Sequence, residues 1–470
     1  MSQHSIAGDA ITPATPSVWR TEFADTVRLS WPMALTQLGQ IAMMTSDLAL
    51  LGRLGDHVVA AVALTHTVLF AGFVIGMGLV SAVSPLAAQA FGARQPRMVR
   101  RSLRVGLWAA TLLGVPLSLA QVYGEDLLLA LGQKPEAAAL AADYLSGIAW
   151  SLIPAWWFIA IRGFMGSVNK PEPAMWITIA AIPANLVLAY ALIYGAFGLP
   201  RLELFGAGLA TTLVNIAMCA AAVWIAYAMR PFKKYKILAR CWRCDVALLG
   251  RLVWIGLPIS GSFLLEYGVF AAAALMMGWI GTVELAAHQI ALQVASIMFM
   301  VPFGISMAAT VRVGHAVGRG DAAGTRRAGL AALALAGGFM ATMTVLVALG
   351  RHYVPALFLG GASGDSGATA ALAATLLLLG ASFFIADGIQ TVAAGALRGL
   401  NDTRVPLVFA AVCFWVIGVA ACYMLGFTLG GGAFGIWVGL SLSVLLYAAL
   451  LVWRFNLLTR RGYMPVVAST

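Results

Sequence analysis

This sequence predicts an all-α integral membrane protein: twelve transmembrane helices in two six-helix lobes related by a parallel internal repeat. Three observations carry the prediction. Of 470 residues, 61% are hydrophobic and 10% are charged, too little polar surface to cover a soluble globule of this size. Twelve stretches are apolar and long enough to cross about 30 Å of hydrocarbon at 1.5 Å per residue. Slid against itself by 226 positions, the chain also meets its own prolines, glycines and arginines.

In order, the predicted spans are 26–51, 58–91 with a long interfacial approach, 102–122, 139–162, 173–197, 204–229, 250–276, 285–311, 326–349, 370–397, 405–427 and 433–456. They divide the chain into a cytoplasmic tail over 1–25, a first lobe over 26–229, a basic linker over 230–249, a second lobe over 250–456 and a tail over 457–470. The first 25 residues lack a basic start followed at once by an apolar core, so no cleaved signal is expected and the first span inserts uncleaved. Pro32, Pro154, Pro183, Pro258 and Pro302 fall inside spans, where proline is tolerated and marks bends.

A net charge of +11 raises the question of nucleic acid, and the placement of the charges answers it. The N-terminus and alternate loops hold 25 of the 29 Lys and Arg residues, seven of them from Arg230 to Arg251, whereas the opposite loops hold only Arg53, Lys134, Arg201 and Arg351. The positive-inside rule then places both termini in the cytoplasm of a multi-pass membrane protein, with the bilayer and not nucleic acid as its surroundings.

The self-match at 226 pairs Pro32 with Pro258, Gly52 with Gly278, Gly55 with Gly281, Gly78 with Gly304, Gly92 with Gly318, and Arg100–Arg101 with Arg326–Arg327. RGFMGSVNKPEP lies over AGALRGLNDTRVP at a slightly different offset. Six spans per half is an even number, so both halves enter the membrane in the same direction, with a cleft where they meet. Two such lobes suit an alternating-access carrier.

Three acids fall inside spans: Asp47, Glu266 and Asp387. A charge at that depth costs about 3 kcal/mol or more, so each is a functional candidate by default. With every Lys and Arg assigned to loops or span ends, the partner of these acids is expected to be a proton, a metal cation or a cationic ligand. Gln37, Gln40, Asn185, Thr211, Asn215, Gln289 and Gln293 are candidates to line the cleft or to bond helices together. Cys219, Cys413 and Cys422 read as apolar packing, and Cys241 with Cys244 as a plain loop CxxC that lacks the other ligands of a zinc site. His288 and His315 lack metal-ligand spacing. No nucleotide, zinc-protease or serine-nucleophile motif is present, so the chain reads as no enzyme, without cofactor, driven by an ion gradient.

These residues resemble the multidrug and toxic compound extrusion (MATE) transporters, in their NorM-like bacterial branch, over roughly residues 22–456. LSWPMALTQLGQIAMMTSDLALLGRLG is similar to the family's first helix with its acid at Asp47, and ELAAHQIALQVASIMFMVPFGISMAATVRVGHAVG to its eighth. LLEYGVF and ADGIQTVAAGALRGLNDT carry the acids of helices seven and ten at Glu266 and Asp387. The resemblance implies efflux of lipophilic, often cationic drugs or dyes in exchange for protons or sodium ions, by a monomer. It implies that Glu266 and Asp387 bind the coupling cation and that Asp47 serves the first lobe or the substrate. Gln37, Gln40, Asn185 and Thr211 are candidate cation or substrate contacts of the first lobe, and Gln289, Gln293 and Phe383 are candidate contacts of the second. Phe383 stands where some relatives carry a tyrosine, and Ala189 where the archaeal type carries a second acid four residues after its Asn. Both positions lack an oxygen ligand, which leaves protons expected at least as much as sodium. A lipid-precursor flippase of similar architecture predicts a strongly basic cleft, and a membrane-embedded enzyme predicts a nucleophile or metal cluster.

Overall fold

The computed structural model describes residues 16–465 apart from 55, 131, 134, 199, 238, 240, 241 and 360–364, so the expectations for Gly55, Lys134 and Cys241 lie outside the described residues. The first half runs α1 (Pro16–Gly52), α2 (Asp56–Ser81), α3 (Val83–Gly92), α4 (Pro96–Val122), α5 (Gly124–Ala130), α6 (Pro135–Ile148), α7 (Leu152–Ser167), α8 (Glu172–Tyr194) and α9 (Glu203–Ala228). The second half runs α10 (Val246–Ile280), α11 (Thr282–Arg319), α12 (Ala322–Gly350), α13 (Val354–Leu359), α14 (Asp365–Leu379), α15 (Ala381–Gly399), α16 (Arg404–Ala410), α17 (Val419–Tyr423) and α18 (Gly432–Arg460).

Among the described residues, ten helical segments are long and apolar enough to cross a membrane, and α14 with α15 makes an eleventh span bent by 52°. The bend falls at Gly380, the single residue between the two helices, and it re-aims α15 toward the interior. The twelfth span is α1, whose apolar character is lowered by Gln37, Gln40 and Asp47 and which is already helical at Pro16, ten residues before the expected span. The chain is a multi-pass membrane protein.

Local chemistry sets several helix ends. Asp245 and Asp321 cap α10 and α12 by accepting from the backbone N–H groups of Leu248 and Gly324. Partial burial works against the charge of Asp245, but the Arg101 hydrogen bond, the Leu248 amide and the charges of Arg101 and Arg104 outweigh it and hold the carboxyl below the usual carboxylate range. Gly320 ends α11 at φ 72°, a left-handed conformation open to glycine.

The glycines that match across the two halves are the points where the lobes touch. A Cβ on Gly78 would lie 2.6 Å from the Ser260 backbone, and one on Gly304, its partner in the repeat, 2.5 Å from the backbone of Ala34. Ser260 and Ala34 are themselves 226 positions apart. Gly92 and Gly318 pack in the same reciprocal way on His315 and Gln89. The interface therefore obeys the pseudo-two-fold, and it lies toward the end of the molecule that carries the basic loops. On the same two helices as Gly78 and Ser260, the rings of Phe70 and Tyr267 meet at 4.2 Å between centroids.

Candidate functional site

Glu266 immediately precedes Tyr267, whose ring meets Phe70 of the first lobe. Two hydroxyls fix the register of the helix opposite: Ser306 and Thr310 of α11 donate to the carbonyls of Thr391 and Gly395 in α15, each at 2.8 Å. Gly388 lets α15 lie against Met340 and Pro302. These contacts bring Asp387, 5% exposed, beside half-buried Glu266.

A third side chain joins them. Gln390 donates from one nitrogen, Nε2, to Glu266 Oε1 at 2.6 Å and to Asp387 Oδ1 at 3.0 Å. An amide NH2 has two hydrogens, and here one goes to each acid. Each carboxyl keeps a second oxygen for a proton or a cation. Among the described residues, no cluster of three or more His, Cys, Asp or Glu forms a metal site. Phe383, one turn before Asp387 and 1% exposed, packs edge-on against Phe270, Phe384 and Trp437, and His288 packs edge-on against the same Trp437. Phe383 thus forms an apolar wall beside the acids and has no oxygen to offer.

In the first lobe, Asn185 of α8 donates to Asp47 Oδ1 at 2.6 Å, and Thr211 of α9 donates to Oδ2 at 3.3 Å. The three residues expected together are together. Ala189, one turn after Asn185, is buried in an apolar cluster with Leu50 and Leu51. The repeat matches Glu266 to Gln40 and not to Asp47, which lies nearly two turns farther along α1. The acids of the two lobes therefore lie at different depths.

One expectation needs correction: a basic residue does lie inside the first lobe. Arg162, assigned from sequence to a loop edge, is 5% exposed within α7, which continues to Ser167, and it donates to Gln37 and Gln40. Its charge is met by amide oxygens and not by an acid. A single buried arginine so bonded is not the strongly basic cleft of a flippase. Arg398 also reaches inward: its guanidinium lies 4.7 Å from the centroid of Phe263, one turn from Glu266, and it lines a small void with Ser262, Asp402 and Tyr447. Gln289 and Gln293, by contrast, are exposed on α11 and take no part in the hydrogen bonds of the acid pair. Gln390 and the two arginines were missed in the sequence. The available signal was the three-residue spacing of Gln390 from Asp387, which puts both on one helix face.

At the basic end, a reciprocal pair of hydrogen bonds ties the lobes together. Gln89 Nε2 donates to the Gly399 carbonyl at 2.9 Å while Asn401 Nδ2 donates to Gln89 Oε1 at 2.8 Å. His315 Nε2 lies 2.7 Å from the Ser167 carbonyl. Gln89 and His315 are 226 positions apart, and Ser167 and Gly399 are 232 apart. Arg312 adds ion pairs from α11 to Glu22 and Asp25 of α1, and Arg101 pairs with Asp245.

Comparison with known proteins gives a consistent picture. The MatE family profile matches residues 32–191 and 258–424. Over 99% of this chain and 98% of its own length, the probable multidrug resistance protein NorM of Rhodopseudomonas palustris is 64% identical. The protein of the same description from Bradyrhizobium diazoefficiens is 57% identical over 94% of each chain. In structure, the chain is similar to a multidrug resistance MATE family transporter of the MOP superfamily described in an outward-facing conformation, with TM-score 0.86, 20% identity and coverage of 96% and 99%. It is also similar to a eukaryotic MATE transporter, with TM-score 0.82, 19% identity and coverage of 95% and 99%. At those identities the likeness is one of fold.

Proposed function

We propose, on the premise that this chain belongs to the MatE family, that it exports lipophilic, often cationic compounds across a bacterial inner membrane in exchange for protons, as a monomer with both termini cytoplasmic. Sidedness rests on the basic loops, which mark the cytoplasmic face. In this reading, lobes latched at that face represent the outward-facing half of the cycle.

The observation that carries the reading is the Glu266–Gln390–Asp387 arrangement. Two carboxylates this close repel each other in a dry interior, so one of them takes a proton readily. A lipophilic cation in the cleft stabilises the ionised pair instead. Proton and substrate therefore compete for the same charge, and by linkage each weakens the binding of the other. Sodium requires several oxygens in place of its water, and Phe383 and Ala189 supply none. Asp47, held by Asn185 and Thr211, is assigned to the substrate or to a second cation. Drugs leave, protons enter, and opening of the basic-end contacts exposes the acids to the cytoplasm. Dye efflux from proteoliposomes under separately imposed gradients tests the assignment: a proton gradient without sodium drives export, and export seen only with sodium refutes proton coupling.

A further inference from the structure

The lipid-facing side of α10 carries two exposed tryptophans, Trp254 at 61% and Trp279 at 67%. They are 25 residues and so about 37 Å apart along the helix, which suits two aromatic belts flanking ~30 Å of hydrocarbon. Trp254 thus lies at headgroup depth on the basic side. At that depth a groove of about 540 Å³ opens between α10 and α16, lined by Val253, Trp254, Leu257, Arg404 and Leu407 among others. That volume is within the ~300–1,000 Å³ of small-ligand sites.

The groove is amphipathic along the membrane normal. Arg404, exposed, lies over the Trp254 ring at 2.9 Å from its centroid, and among the described residues no carboxylate forms an ion pair with it. Each of these residues is followed three positions later by a leucine of the same groove, Leu257 after Trp254 and Leu407 after Arg404, one turn closer to the membrane centre. A cation at headgroup depth above apolar walls matches a phosphate above an acyl chain.

We propose that this groove holds one anionic phospholipid of the basic-side leaflet, with its phosphate on Arg404 and its first methylenes against Leu257 and Leu407. A zwitterionic lipid brings its own ammonium to the mouth and gains less from the guanidinium. The proposal is independent of the coupling ion.

The test is quenching of Trp254 fluorescence by brominated chains. The protein is reconstituted in mixed phosphatidylcholine and phosphatidylglycerol vesicles in which only one of the two lipids is brominated, at equal bromine content. The Trp254 component is taken as the difference between the native chain and Trp254→Phe, since the chain has 14 tryptophans. Brominated phosphatidylglycerol is expected at this position with a roughly fivefold preference, the equivalent of ~1 kcal/mol for one basic residue at an anionic headgroup. Arg404→Ala removes the preference while leaving the quenching, and Arg404→Lys retains most of it. Equal quenching by both lipids in the native chain means ordinary surrounding lipid and overturns the proposal, as does a preference unchanged in Arg404→Ala.

Discussion

His315 places its Nε2 2.7 Å from the carbonyl oxygen of Ser167, and the pseudo-two-fold carries that bond onto Gln89 and Gly399 at 2.9 Å. The two bonds join different lobes at the same end, and both must break for the molecule to open there. Replacing both side chains also removes the Asn401 bond to Gln89, and net contributions of ~0.5–1.5 kcal/mol for each of the three bonds imply a shift of the equilibrium by roughly 10- to 2,000-fold. Spin labels on exposed Arg97 and Arg319 report the separation of the lobes at this end. In the double variant Gln89→Leu with His315→Leu, a longer-distance population is expected to grow. An unchanged distance distribution would mean that these bonds do not hold the closed state.

Gly78 and Gly304 make a second prediction about the same interface. A methyl group at either position meets the backbone of the other lobe, so alanine costs ~1–3 kcal/mol of the closed arrangement. Gly337 of α12 has nothing within 4 Å of its Cβ position, and alanine there is expected to be neutral or slightly stabilising. Thermal unfolding in detergent should rank the variants in that order. Equal melting temperatures for Gly304→Ala and Gly337→Ala would contradict the close approach.

Gln390 is expected to matter to transport although it carries no charge. Gln390→Met keeps its length but removes both donated hydrogens, leaving two acids without their shared partner. Losing hydrogen bonds to ionisable groups costs ~1.5–3 kcal/mol each, so dye efflux should slow at least about tenfold with little change in purified yield. A variant that pumps at the native rate would show that the bridge is incidental.

Asp387→Asn and Glu266→Gln each keep shape and remove the titratable charge. Either alone should abolish gradient-driven efflux, and the pair together should be little worse than one, because groups that act as a unit are not additive. Residual transport in the single variants, with a further loss in the double, would point to two separate sites.

Much of this was legible in the sequence because the membrane makes some residues costly. Asp47, Glu266 and Asp387 stood out for that reason, and Gly78, Gly92, Gly304 and Gly318 stood out because no other residue fits where two backbones touch. What stayed hidden depends on the third dimension. Gln390 is an ordinary amide until α10 brings Glu266 within 2.6 Å. Arg162 reads as a loop residue until α7 is seen to continue and to lie under Gln37 and Gln40. Likewise Gln289 and Gln293 share the composition of site residues, but neither joins the hydrogen bonds that link Glu266, Gln390 and Asp387. The helical residues of α1 before the expected span were missed because Arg20, Glu22 and Asp25 interrupt the apolar pattern, and both acids are bound by Arg312.

The most direct test of the central claim, that substrate and proton compete at Glu266 and Asp387, is to count protons released on binding. Tetraphenylphosphonium is added to purified protein in weakly buffered, sodium-free detergent solution containing a pH indicator, near neutral pH. The account predicts acidification by the native chain that saturates with tetraphenylphosphonium and disappears in Glu266→Gln and Asp387→Asn. Binding without proton release by the native chain, or release that persists undiminished in both variants, would contradict it.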